Sequence, residues 1–283
     1  MIPQVVAQRI EARYGRIRRV TPVGGGCINP AASIELDCGP MFLKWNLGVS
    51  DGLFAAEASG LQSLAAAATE LRVPEVLDAW DTGLLLEWLE SASPATDFSC
   101  KLGYGLAALH RARPSGTAGN NWIGPLPQNN TPAASWAEFW ISRRLEPQLR
   151  RARDGARMPG SAADWKSLFA RIPEALAPAE QESDSLLHGD LWSGNVLSTV
   201  AGPALVDPAV YSGHREVDLA MTELFGGFDA GFYAAYTEVW PLLPGYSEAR
   251  RAIYQLYPLL VHVNLFGGAY IPQAARLLQS ACF

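Results

Sequence analysis

The 283-residue sequence predicts an α+β chain of two lobes: a small antiparallel β-rich lobe over residues 1–87 and a larger, mainly helical lobe over residues 88–283. Three observations carry this expectation. Short apolar runs punctuated by Gly and Pro fill the first third, among only one strong internal helical pattern. From residue 91 onward, apolar residues recur at helical spacing. One polar-rich stretch, residues 186–207, interrupts those helices.

The elements follow in order. Residues 3–14 open the chain as a helix, with Pro3 in its first turn and Gly15 just past its end. Residues 17–23, 31–36 and 41–45 are antiparallel strands, with Gly24, Gly25 and Gly26 in the first connection. Asp51 caps a helix on which Phe54, Leu61 and Leu64 share a face. Residues 76–80 and 84–86 complete a sheet of about five strands, and a hinge at 86–90 leads into the second lobe. There Leu102, Leu106 and Leu109 mark a helix, residues 134–153 and 162–176 two more, and helices return from Val217 to the end. Between Pro114 and Pro132 the crowding of Gly, Pro and Asn predicts a long ordered loop.

Composition narrows the function. Hydrophobic residues make up 49% and charged residues 18%, the balance of a folded globular chain. A net charge of −6 and the lack of any Lys/Arg run argue against nucleic acid and anionic membranes as partners. The densest basic stretch, residues 143–157, alternates with Leu145 and Leu149 and reads as a solvated helix face. Residues 253–266 are apolar but too short to span a bilayer, and Arg9, Glu11 and Arg13 break any secretory signal. Cys27, Cys38, Cys100 and Cys282 are scattered, without metal or disulfide spacing. A reducing, cytoplasmic setting is expected, with the chain as a monomer or a homodimer.

The chemistry concentrates in HGDLWSGN at 188–195 and LVDPA at 205–209. Asp190, Asn195 five residues later and Asp207 after a short apolar run form the set that phosphoryl transfer from ATP requires. One carboxylate accepts the proton of the attacking hydroxyl, while an amide and a second carboxylate hold Mg²⁺. Protein kinases space the Asp and Asn of their catalytic loop identically. Residues 196–197 and 204–206 read as the two strands of a hairpin turning at Gly202 and Pro203. The competing reading is a turn in which Asp and Asn bond their own backbone. A dinuclear hydrolase beginning with His-x-Asp would need more ligands than four histidines in unrelated contexts supply.

Other positions gain meaning from that frame. The glycines at 24–26 let backbone approach phosphate, although any hairpin uses Gly. Lys44 ends a strand and would reach the α- and β-phosphates, held by Glu57 in the next helix. Glu87, Trp88 and Leu89 would meet adenine at the hinge. His188 packs under the catalytic loop and Asp218 braces it; His110 and His262 read as core or boundary residues. His214 is a candidate substrate contact. Cys27 reads as a small residue whose oxidation would reshape the glycine loop. Acids after Asp218 are sparse, and the aromatics Phe225, Phe228, Tyr233, Tyr236, Tyr257 and Phe266, though mostly core, suit a sugar ring with one attached amine better than a polycation.

These motifs together resemble the fructosamine kinase (ketosamine-3-kinase) family, within the protein-kinase-like and aminoglycoside-phosphotransferase-like enzymes. The resemblance rests on GGGCIN at 24–29, FLKWN at 42–46, EASGLQSL at 57–64, NNWIG at 120–124, HGDLWSGN, and DPAVYSGHREVDLAM at 207–221. It implies a two-lobed protein-kinase-like fold with ATP between the lobes. It further implies ATP- and Mg²⁺-dependent phosphorylation of the 3-hydroxyl of a sugar joined to an amine through a ketoamine link, after which the unstable adduct releases the amine. By the same resemblance Trp192 is a candidate to line the sugar site, and glycated small amines or proteins would be the partners. The alternatives are a kinase for an aminoglycoside, choline or a free sugar, and a nucleotide-binding protein without turnover.

Overall fold

The computed structural model describes residues 1–24, 29–67, 69–112, 119–182 and 184–282. Gly25, Gly26 and Cys27, expected in the phosphate-side loop, lie outside these residues; Gly24 is exposed beyond the first strand.

Helix α1 (Gln4–Tyr14) precedes a five-stranded sheet of β1 (Arg19–Pro22), β2 (Ala31–Leu36), β3 (Gly39–Trp45), β4 (Val76–Trp80) and β5 (Gly83–Glu87). The strands run antiparallel in the order β1-β2-β3-β5-β4. The two-residue period of a strand sorts its side chains onto opposite faces. Ile34, Leu43, Trp45 and Leu85 pack beneath Val6 and Ile10 of α1. On the opposite face Leu84 and Leu86 meet Leu53, Phe54 and Leu61 of α2 (Leu53–Ala66). Lys44, between Leu43 and Trp45, is thereby turned toward α2. Asp51 does not cap that helix: Gly52 precedes it at φ +83° with no side-chain cap.

The larger lobe is built on α3 (Phe98–Arg111), α6 (Ala162–Leu176), α7 (Glu216–Phe225), α8 (Ala230–Val239), α9 (Arg251–Phe266) and α10 (Tyr270–Cys282). The helix predicted at 134–153 is three pieces: α4 (Trp136–Phe139), a wide π turn over Trp140–Leu145, and α5 (Glu146–Asp154). That turn carries Arg144, expected at a solvated face, into the interior at 0% exposure. Its guanidinium lies 4.1 Å from the Tyr211 ring and 4.6 Å from Phe139, while donating to the Asn129 carbonyl and to Asn130 Oδ1 at 2.8 and 2.7 Å. Cation–ring contacts and neutral acceptors replace water there.

The loop expected at 114–132 contains a hairpin, β6 (Asn121–Ile123) with β7 (Leu126–Gln128). Three-residue strands are too short for a periodic signal, and tertiary hydrogen bonds hold them. A further pair, β8 (Ser185–Leu187) with β11 (Tyr211–Gly213), flanks the hairpin of β9 (Val196–Thr199) and β10 (Gly202–Leu205). The latter turns at Val200 and Ala201, so Gly202 and Pro203 belong to β10 rather than to the turn.

Helices α3 and α8 cross closely at Gly103, where a Cβ would meet the Phe232 carbonyl and lie 3.0 Å from Ala235 Cβ. Gly103→Ala is expected to overpack this crossing and cost roughly 1–3 kcal/mol, read as a lower melting temperature with the fold retained. An unchanged melt would show that the crossing tolerates a methyl group.

Candidate active site

Leu186 and Leu187, both buried in β8, deliver the chain to His188. Gly189 then adopts φ +80°, and a Cβ on it would collide with the Ala209 carbonyl, so Gly is required there. Asp218, 1% exposed on α7, accepts from the His188 and Gly189 backbone N–H groups at 2.7 and 2.9 Å. Neither Asp218 nor Glu216 caps its own helix. Glu216 instead pairs with Arg250 at 2.6 Å.

The His188 ring is a fixed strut. Its Nε2 lies 3.0 Å from the Val206 carbonyl and must donate, while Nδ1 accepts the Asp190 backbone N–H at 3.3 Å. That pattern is the neutral imidazole, and burial lowers its pKa accordingly. His110 is held alike: Nε2 donates to Asp218 Oδ2 at 3.1 Å and Nδ1 accepts from the Tyr236 hydroxyl at 2.8 Å.

Asn195 ties the loop to the following hairpin. Its Nδ2 donates to the Asp190 carbonyl at 2.9 Å, to Asp190 Oδ2 at 3.2 Å and to the Asp207 carbonyl at 3.3 Å. Its amide oxygen has no partner among the described residues. Asp207 sits at φ +53°, a backbone region that costs a non-glycine residue free energy. Its Oδ1 accepts from Lys44 Nζ at 2.6 Å, and Lys44 also donates to Glu57 Oε1 at 2.8 Å. Burial alone would lower the Lys44 pKa, but the two carboxylates raise it, so the side chain stays an ammonium. Burial raises the Glu57 carboxyl, with Lys44 opposing. Asp190, half-buried, is pushed up to about 7, first by desolvation and then by the Asp207 charge.

Lys44, Glu57, Asp190, Trp192, Asn195 and Asp207 all line one cavity of about 660 Å³. The size suits a small organic molecule. Other expected positions stand apart. Glu87, Trp88 and Leu89 do not line it. The Glu87 carboxylate binds Arg72 at 2.8 Å and its N–H donates to the Glu75 carbonyl at 2.9 Å. His214 is 3% exposed, with Nε2 on Glu182 at 2.9 Å and Nδ1 on the Tyr254 hydroxyl at 3.2 Å, which removes it from the substrate side. Hydrogen bonds from His214 and Arg215 outweigh the burial of Glu182 and bring its pKa down to about 2. Conversely, Asn121 and Trp122 of the unforeseen hairpin, and Phe225, His262, Phe266 and Tyr270 near the chain end, form cavity wall. The NNWIG motif contained the first two without indicating a role; Phe225 and Phe266 stood among aromatics read mostly as core, His262 read as core or boundary, and Tyr270 gave no signal.

The fold and this constellation define a phosphotransferase of the protein-kinase-like class acting on a hydroxyl group. The fructosamine kinase family model matches residues 1–282, and the chain belongs to that family. A ketoamine kinase of Synechocystis is 41% identical, covering 98% of this chain and 95% of its own. The chloroplastic protein-ribulosamine 3-kinase of Arabidopsis thaliana is 36% identical, over 95% of this chain and 84% of its own. The crystal structure of a fructosamine-3-kinase from Thermobifida fusca, 36% identical, superposes with a TM-score of 0.85 over 98% of each chain. Aminoglycoside phosphotransferase APH(4)-Ia, at 19% identity and TM-score 0.66, shares the fold over 98% of this chain and 99% of its own.

The raised Asp190 pKa has a stability consequence. An unfolded Asp ionises near 3.8 and the folded one near about 7, so the penalty develops as pH rises between those values and is full above the upper one. Asp190→Asn should therefore melt above the wild type by a few degrees near pH 8 without nucleotide, the gap shrinking near pH 5. A gap independent of pH would remove the buried charge as its cause.

Proposed function

We propose that this protein transfers the γ-phosphoryl group of ATP to the 3-hydroxyl of ketosamines, a deglycation activity that leaves an adduct able to shed its sugar. The observation that carries the reading is the convergence of Asp190, Asn195, Asp207 and Lys44 on one cavity within a fructosamine kinase chain.

In this reading Asp190 Oδ2, oriented by Asn195 Nδ2, accepts the hydroxyl proton as the oxygen attacks phosphorus and the bond to ADP breaks. A pKa of about 7 places Asp190 close to working pH, where a base both exists in ionised form and takes a proton. Lys44, anchored by Glu57, presents its ammonium to the phosphates. No cluster of three or more His, Cys, Asp or Glu able to hold a metal exists among the described residues. The Asn195 amide oxygen and the Asp207 carboxylate nevertheless suit Mg²⁺, which takes few protein oxygens and completes its shell with phosphate and water. When bound, that cation would neutralise charge on the phosphates. Glu87 is engaged within the sheet, and Trp88 and Leu89 lie off the cavity wall, so an adenine contact with the backbone at 88–89 would extend beyond that wall. No helix among the described residues is long and apolar enough to cross a membrane. A cytoplasmic location fits the scattered thiols.

Among the described residues only Lys44, Glu57, Asp190 and Asp207 bring charge to the cavity wall, and Lys44 already occupies two of those acids. A polycationic acceptor would find few carboxylates. ADP release should therefore accompany fructoselysine or a 1-amino-1-deoxyfructose, with little for kanamycin or choline; turnover confined to the latter two would end the assignment. In the same assay Asp190→Asn should lose on the order of 10²–10⁴ in kcat while still binding nucleotide. Near-native turnover would take Asp190 out of the mechanism.

A further inference from the structure

The ketosamine reading leaves open what meets the acceptor's amine, which is protonated at neutral pH. The cavity wall farthest along the chain consists of Phe225, His262, Phe266 and Tyr270. His262 lies 4.8 Å from Phe225, 4.8 Å from Tyr270 and 5.5 Å from Phe266, ring centre to ring centre. The imidazole is half-buried and oriented from within its own helix: Nδ1 is 2.8 Å from the Pro258 carbonyl one turn back, and since a carbonyl only accepts, Nδ1 carries the hydrogen. In the neutral ring Nε2 is then an acceptor, on the edge distal to the backbone. It has no partner among the described residues. Burial lowers the His262 pKa and keeps that lone pair available at neutral pH.

Competing groups are engaged. Asn121 Oδ1 accepts from Gln128 and Asn130 while its Nδ2 donates to the Val210 carbonyl, and Asn29 Oδ1 accepts from Asn46. Glu57 and Asp207 bind Lys44. Of the remaining polar wall, Asp190 and the Asn195 amide oxygen are assigned above to the hydroxyl proton and the cation, Ser193 and Tyr270 offer hydroxyls, and His262 offers a basic nitrogen. Ring faces around the latter attract a cation. Helices α7 and α9 both end at this cluster, adding the partial negative charge of two C-termini against one N-terminus from α10.

We propose that His262, boxed by Phe225, Phe266 and Tyr270, is the subsite for the acceptor's protonated amine, with Nε2 accepting an ammonium N–H. The subsite rests on the ketosamine reading and makes His262 a specificity-determining residue rather than part of the phosphoryl machinery.

The test compares two acceptors in the full-length protein: a fructosamine with a secondary amine, and its isostere with an ether oxygen in place of that nitrogen. His262→Phe preserves ring volume and removes the acceptor. It should lower kcat/KM for the amine roughly 10–100-fold, mainly through KM, and change the ether less than about threefold. The KM for ATP should not move. His262→Gln, whose amide oxygen reaches toward the Nε2 position, should recover part of the loss, with melting curves checking both variants. Equal losses on both acceptors, or no loss on the amine, would overturn the subsite alone. Wild-type turnover of neither acceptor would overturn the ketosamine reading and the subsite with it.

Discussion

The structure depends on Lys44 being an ammonium between two carboxylates. Its strand and Glu57 belong to the small lobe, whereas Asp207 belongs to the large one, 163 residues away in sequence. Removing the Lys44 and Glu57 charges from water costs several kcal/mol per ion, which short contacts at 2.6 and 2.8 Å offset only if the partly exposed Asp207 carboxylate stays with them. The triad therefore acts as a registration device more than as a source of net stability. It aligns the sheet, α2 and the segment after β10 around one cavity.

Below that triad the catalytic loop is positioned by backbone bonds rather than by side-chain packing alone. Asp218 receives two consecutive N–H groups and also the His110 ring, while His188 spans from its own loop to the Val206 carbonyl. Gly189 and Asp207 both occupy the left-handed region. Their cost is met by these bonds, which hold Asp190 beside Asn195 in a half-buried site. Loss of water and then proximity to Asp207 raise the Asp190 pKa, both because this loop folds against the segment after β10.

The cavity wall is of two kinds: Phe225, Phe266, Tyr270 and the oriented His262 imidazole form one part, and the carboxylates Glu57, Asp190 and Asp207 stand with Lys44 in another. The related fold of APH(4)-Ia has been seen with hygromycin B bound. A shared fold does not by itself fix the acceptor, which is decided by the side chains that line the site.

The sequence by itself determined the sheet, the major helices and the spacing of Asp190, Asn195 and Asp207, because periodicity and fixed short spacings are local properties. The strand at 31–36, the helix at 162–176 and the Asp190-to-Asn195 interval all depend on neighbours in the chain. The Lys44–Glu57 pairing was also legible once the kinase frame was adopted. Tertiary structure alone decided the fate of residues whose partners are distant. Arg144 enters the core because Tyr211 and Asn130 await it, and His214 leaves the substrate side because Glu182 and Tyr254 claim both its nitrogens. Residues 121–128 pair because Asn121 and Gln128 reach the Val210 and Ala209 carbonyls. His262 and Phe266 look like ordinary positions on an apolar helix, and they become cavity wall only because α9 ends against the cleft. Hydropathy reports whether a side chain avoids water, not whether it does so against protein or against a ligand.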